Sequence, residues 1–204
     1  MKPTVLITGG NGFIGRALTD KLLHEGYAVR ILTRRVSSQP TNPAVSLVQA
    51  DYNNVDSLKQ ALDGCEGVFN LAGAIFGFNY MDFEKGNITT AQHMVQAANQ
   101  TASIQTFVHV SSLAASGFSA DRSQPRTEAM APTPISDYGR TKLGGEQAVH
   151  TLDSRIKWTV IRPPIVYGKN DSGVSKIATW VKRGLMVNTS GNGYFSFVYV
   201  GDLV

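Results

Sequence analysis

Tyr138 and Lys142 stand four residues apart behind Ser136-Asp137, so a helix opened by that pair would carry both side chains on one face. An ammonium beside a phenol favours the phenolate. It would draw a tyrosine from its reference pKa of about 10 toward working pH, as general acid/base catalysis requires. Tyr-x-x-x-Lys is common by chance, and a solvated i,i+4 surface pair is the plain alternative. Upstream, Phe107-Val108-His109-Val110 reads as a buried strand ending in two hydroxyls, Ser111 and Ser112. In a parallel sheet, ligands sit at the C-terminal ends of strands, so Ser111 or Ser112 would point into a cleft beside Tyr138. Taken singly, each serine could equally be a strand-end cap.

A second constellation lies at the N-terminus. Val5-Leu6-Ile7-Thr8 has the character of a buried strand and runs directly into Gly9-Gly10-Asn11-Gly12-Phe13-Ile14-Gly15. Gly9 permits a tight turn, Gly12 lets the backbone approach a pyrophosphate, and Gly15 lets the following helix pack close to the sheet. Flanked by strand and helix, the pattern reads as a dinucleotide phosphate loop, with Phe13 and Ile14 beside the ligand; an ordinary glycine-rich turn is the alternative. An NAD site usually carries an acid at the end of the second strand. Here Ile31-Leu32-Thr33-Arg34-Arg35 has none, and Arg34 could pair with a 2′-phosphate, which favours NADP over NAD. Both arginines could instead be solvated charges. Asp51, with Tyr52 beside it after the third strand, can accept a hydrogen bond from an adenine amino group or be a plain turn aspartate.

These residues need a scaffold, and the hydrophobic pattern supplies one. Strands are expected at Thr4–Thr8, Ala28–Thr33, Ser46–Gln49, Gly67–Leu71, Thr106–Ser111 and Trp158–Arg162. Helices are expected at Phe13–Glu25, Val55–Leu62, Phe83–Asn99 and Asp137–Leu152. Their alternation predicts an α/β fold with a doubly wound parallel sheet. Ser119–Pro134 reads as a long loop after the fifth strand. Phe76–Phe83 is an aromatic-rich stretch, either core or lid packing or a hydrophobic wall for a substrate. Trp158 and Trp180 read as packing residues, Trp180 on a helix with Ile177 and Val181.

The 204 residues, 42% hydrophobic and 17% charged, suit a globular protein of one domain or one domain plus the start of another. No apolar run approaches the roughly 20 residues that span a bilayer, which predicts no membrane segment. The N-terminus lacks a signal-peptide pattern, so a cytoplasmic location is expected. Net charge is +4, with a pI near 9.2, but the basic residues are scattered and pair only at Arg34-Arg35 and Lys182-Arg183. That argues against nucleic acid and suits an anionic nucleotide. The single cysteine, Cys65, reads as a small apolar residue, and the four histidines show no metal-ligand spacing.

The chain resembles the extended short-chain dehydrogenase/reductases, the family of NAD-dependent epimerases, dehydratases and related carbonyl reductases. The resemblance rests on Thr8 to Gly15, Asn70-Leu71-Ala72-Gly73, Asn87-Ile88-Thr89-Thr90, Val110-Ser111-Ser112 and Tyr138-Gly139-Arg140-Thr141-Lys142. Arg162-Pro163-Pro164-Ile165-Val166-Tyr167-Gly168 and Phe197-Val198-Tyr199-Val200-Gly201-Asp202-Leu203 follow in the family's order. It implies an NAD(P)-binding Rossmann fold and a triad in which Ser112 orients the substrate oxygen, Tyr138 is the acid/base, and Lys142 also holds the nicotinamide ribose. It further implies that Leu71, Ala72 and Gly73 line the cofactor cleft and that Asn87 positions cofactor and active-site loop. Pro163 to Val166 would cover the nicotinamide end.

The family's substrate region starts at about residue 165 and continues beyond a segment like the one ending here, so the chain is expected to be a fragment or to lack its substrate lobe. A homodimer is implied by resemblance alone. The Val-Tyr-Gly that often follows the serines in sugar-nucleotide enzymes is absent, with Leu113-Ala114-Ala115 in its place. The expected function is hydride transfer at a hydroxyl- or ketone-bearing carbon of a nucleotide-sugar or small carbonyl substrate. The alternative is a non-catalytic dinucleotide sensor or scaffold, against which the presence of Ser112, Tyr138 and Lys142 speaks.

Overall fold

The structure, a computed structural model, describes residues 3–36, 40–119, 123–171, 173, 179–185 and 195–204. Six strands form its main sheet: β1 (Thr4–Thr8), β2 (Ala28–Thr33), β3 (Val45–Gln49), β4 (Gly67–Asn70), β5 (Thr106–Val110) and β6 (Lys157–Ile161). They lie in the order β3-β2-β1-β4-β5-β6, all parallel. The helices are α1 (Phe13–His24), α2 (Val55–Leu62), α3 (Tyr80–Glu84), α4 (Thr90–Asn99), α5 (Asp137–Val149) and α6 (Val200–Leu203). This is a Rossmann fold. Because β2 and β4 lie on opposite sides of β1, the carboxyl ends of β1 and β4 diverge into a crevice at the switch point.

Alternation along β1 divides the core. Val5 and Ile7 face one side and pack with Leu18 and Leu22 of α1 and with Val29 and Ile31 of β2. Leu6 faces the other side, with Leu58 and Leu62 of α2, Met94 of α4, Phe107 of β5 and Val149 of α5. Each such side chain removed from water contributes about 1.5–3 kcal/mol, which is what holds the helices against the strands. Cys65 is fully buried in the second cluster, as expected of a small apolar residue. Arg155 fastens the far end of the molecule, donating to Ala98 O, Asn99 O and Thr101 O at the C-terminus of α4 and to Ile104 O before β5.

Three features differ from the sequence reading. The helix expected at Phe83–Asn99 begins earlier, at Tyr80, and passes through a π turn over Lys85–Thr89 before continuing as α4. Ile165–Tyr167 (β7) and Phe197–Tyr199 (β8) pair as a small parallel sheet; at three residues each, they are too short to declare themselves by periodicity. The aromatic stretch after β4 is not core: Phe76 is 86% exposed, and Phe78 and Met81 also lie open to solvent. Trp180 too is exposed, on a helical turn over 179–182; Ile177 and residues 120–122 of the long loop lie outside the described residues. Among the described residues, no helix is long and apolar enough to cross a membrane.

Candidate active site

The glycine loop brings backbone segments into close approach. Gly9 has φ +69°, and a Cβ there would lie 3.1 Å from Ala72 N, where β4 exits. A Cβ on Gly15 would lie 2.6 Å from Gly10 Cα and inside contact distance of Gly9 O. Gly12 N donates to Gly9 O at 2.9 Å, and Gly12 caps α1 without a side-chain bond or an acid in the first turn. The first N–H groups of α1 therefore face the crevice free of side-chain competition, which is the arrangement that receives a phosphate.

A buried hydrogen-bond chain aligns the strand ends under this loop. Thr8 Oγ1 donates to Asn70 Oδ1 at 2.8 Å and accepts from Ala72 N at 2.9 Å. Asn70 Nδ2 then donates to His109 Nδ1 at 3.1 Å, which places the imidazole proton on Nε2. Burial, with Lys142 nearby, lowers the His109 pKa to about 3, so the ring is neutral. The sequence reading took His109 for a simple strand residue; only the pairing of β4 with β5 sets it opposite Asn70.

The second half of the site is a cavity of about 150 Å³ at the ends of β4 and β5. Ser111, Ser112, Tyr138 and Lys142 line it, together with Asn87, Leu71 and Gly73, and Ile14 comes from the glycine loop. Pro163, Pro164 and Val166 close one side, and Ala74 and Ile75 another. Helix α5 delivers Tyr138 and Lys142. Ser136 caps it, its side chain accepting from Gly139 N at 3.0 Å, and Gly139 and Gly145 let it lie against Ala114 and the π turn at Asn87. Asn87 is buried in that turn: Oδ1 accepts from Ala74 N at 2.9 Å, and Nδ2 donates to Ala74 O at 3.1 Å and Thr141 Oγ1 at 3.0 Å. It staples the loop after β4 to α5. π turns gather at functional sites because the extra residue redirects side chains.

The electrostatics depart from expectation. Burial lifts the Tyr138 phenol above its ordinary value near 10, and a hydrogen bond with Ser112 pulls it only part of the way back. Lys142 is not among the groups that shift the phenol, and its ammonium donates to Val110 O at 2.8 Å. Burial lowers the Lys142 pKa to about 8, while Glu146 one turn further on acts to raise it. The Ser111 hydroxyl turns to Glu146 and donates a hydrogen bond to its carboxylate. Glu146 is itself buried and holds Arg162 by two bonds, Nε to Oε1 at 2.9 Å and Nη2 to Oε2 at 2.6 Å. Glu146 escaped the sequence reading, although its position four residues after Lys142 and eight after Tyr138 puts all three on one helix face.

The remaining expected residues lie at the far end of the crevice. Arg34 is exposed beyond β2. Asp51 accepts from Asn53 N at 2.9 Å and from Asn53 Nδ2 at 3.1 Å, the bonding of a turn aspartate. Tyr52 reaches inward to Thr8, and burial pushes its phenol up to about 12.

Comparison with known proteins agrees with the fold and gives the family. The chain is 33% identical over 206 residues to the uncharacterized protein y4nG of Sinorhizobium fredii, covering 98% of this chain and 51% of that one. It is 30% identical over 185 residues to dTDP-6-deoxy-L-talose 4-dehydrogenase (NAD(P)(+)) of Kitasatospora kifunensis, covering 88% and 57%. It thus spans roughly half the length of these curated relatives. Among solved structures, MoeE5 in complex with UDP-glucuronic acid and NAD superposes with a TM-score of 0.82 at 26% identity, covering 98% of this chain and 69% of that one. The family model for the NAD dependent epimerase/dehydratase family matches residues 5–204, and the chain belongs to that family.

Proposed function

We propose that this chain is the cofactor-binding and catalytic part of an enzyme that moves hydride between a nicotinamide dinucleotide and a carbon bearing a hydroxyl or ketone. The observation that carries this reading is the convergence of Ser112, Tyr138 and Lys142 on one cavity that opens beside the glycine loop. The loop fits the cofactor's diphosphate: the space that Cβ atoms on Gly9, Gly12 and Gly15 would invade is backbone-lined, and the uncapped start of α1 offers N–H donors. Gly9, Gly12, Phe13, Ile14 and Gly15 would hold the diphosphate, Arg34, Asp51 and Tyr52 the adenosine end, and Leu71 to Gly73, Asn87, Pro163 and Val166 the nicotinamide end. When bound, the nicotinamide ring supplies the hydride acceptor or donor.

The chain's own residues handle the proton. In reduction, the Tyr138 Oη–H protonates the nascent alkoxide as hydride arrives at carbon. In oxidation, Tyr138 must first give up its own proton to solvent, and the phenolate oxygen so formed takes the alcohol proton. The raised pKa of the phenol keeps it protonated at neutral pH in the protein alone, ready as an acid. Ser112, hydrogen-bonded with Tyr138, orients the substrate oxygen. Lys142, anchored on Val110 O, sets positive charge beneath the site and would also reach the ribose. Nucleotide sugars and small carbonyl compounds are the substrate classes this chemistry serves.

Tyr138→Phe tests the proposal in the whole protein. Loss of a positioned acid/base should lower kcat about 10²- to 10⁴-fold. Dinucleotide affinity should stay close to that of the parent protein. Unchanged turnover would overturn the catalytic reading in favour of a sensor or scaffold.

A further inference from the structure

Helix α5 meets the end of β5 through three successive contacts, and only two involve residues already assigned a chemical role. Tyr138 and Ser112 line the cavity together, with Ser112 close enough to draw the phenol's pKa down, and Lys142 Nζ donates to Val110 O at 2.8 Å. The third joins Glu146 to the Ser111 hydroxyl. Residues 138, 142 and 146 of one helix face thus grip residues 112, 110 and 111 of one strand end. On its other side Glu146 accepts both Arg162 bonds, and Arg162 Nη1 reaches Ser116 Oγ at 3.2 Å. Arg162 opens the Pro163-Pro164 segment that closes the cavity. Backbone bonds from Ser111 N to Ile161 O (2.7 Å) and from Leu113 N to Pro163 O (2.9 Å) lock that segment to the serines.

We propose that Glu146 is a positioning residue for the reaction, one carboxylate that holds the Ser112 strand end, the Tyr138–Lys142 helix face and the Pro163-Pro164 wall in a single arrangement. It rests on the proposed hydride-transfer reading. A partly buried ion pair is a modest device for stability alone, since the desolvation of the buried Glu146 carboxylate offsets much of its attraction to Arg162. Its directional bonds fix relative orientation, and here they bear on Ser111, which lines the cavity, and on Arg162, which leads into the Pro163-Pro164 wall. Glu146 also supplies the negative charge nearest to Lys142. Around that ammonium stand Tyr138 on α5, neutral His109 on β5 and Glu146; around Arg162 stand Glu146 and, more distantly, Glu128. Without Glu146, two cations would share the space with no close counter-ion.

The test is Glu146→Gln, nearly isosteric and still able to accept from Ser111, in the whole protein. Lys142 is titrated by NMR on lysine-¹⁵N-labelled protein free of cofactor and substrate, with Lys142→Met identifying the signal. Its midpoint should move below the parent value, and kcat should fall at least about tenfold with KM within about threefold. An unmoved Lys142 midpoint, or an unchanged kcat, would overturn the inference. Should Glu146→Gln not fold, Glu146→Asp keeps the charge and shortens the reach. It must then lower kcat by a similar factor while leaving the Lys142 midpoint in place, and near-parental kcat overturns the proposal. The titration needs no turnover, so a parent protein without activity would sink the hydride-transfer reading while the midpoint still judged Glu146.

Discussion

At the residue scale, the proposed preference for NADP rests on Arg34. It stands exposed past the end of β2, where an acid would bond the ribose hydroxyls of NAD, and the described residues place no carboxylate at that strand end. A guanidinium matches a 2′-phosphate in shape and charge. NADPH should therefore bind more tightly than NADH, and Arg34→Ser should reduce the difference to within about threefold. Calorimetry on both dinucleotides measures it; a tenfold preference for NADH, about 1.4 kcal/mol, would overturn the role of Arg34. Tyr138 and Lys142 teach a different lesson at this scale. Their spacing was legible, but their protonation was not, because burial acts on each more strongly than either acts on the other.

At the element scale, the proposed role of the glycine loop depends on how closely α1 approaches the turn before it. A methyl on Gly15 would meet Gly9 O and Gly10 Cα, backbone atoms with nowhere to retreat. Gly15→Ala should cost about 1–3 kcal/mol of stability through overpacking and raise the dinucleotide Kd at least about tenfold. Gly64→Ala is the control: its φ is +72° but nothing lies within 4 Å, so it should carry backbone strain and leave binding intact. Thermal unfolding and calorimetry read both variants, and parental affinity in Gly15→Ala would contradict the assigned role of the loop. Long elements with clear periodicity, β1, α1 and α5 among them, were legible within a few residues. The π turn was not, because its extra residue follows from the fit of Gly86 and Asn87 against Ala74, which no helical pattern records.

At the scale of the whole molecule, the sheet order brings Thr8, Asn70 and His109 from three strands into one buried chain. Its consequence is acid sensitivity. The folded-state pKa of His109 is depressed to about 3 from 6.5, so between those values the unfolded chain binds a proton that the folded one excludes. His109 therefore makes stability fall as pH drops from 6.5 toward 3, by up to a few kcal/mol. Urea unfolding across that range should show a shallower loss in His109→Gln than in the parent. Equal slopes would mean that other groups carry the acid sensitivity.

The amino-acid order by itself determined the class of fold and pointed to a candidate phosphate loop and to the pair Tyr138 and Lys142, because these depend on local periodicity and on short spacings within one turn or helix; it left Ser111 and Ser112 open, and only the family resemblance favoured Ser112. Only the tertiary structure decided which partners those residues meet. It turned Ser111 away to Glu146, anchored Lys142 on Val110, set His109 against Asn70 and left Phe76 and Phe78 in solvent. Such contacts arise between strands and helices far apart in the chain, and their strength is governed by burial, which exists only once the sheet and its helices have closed around them.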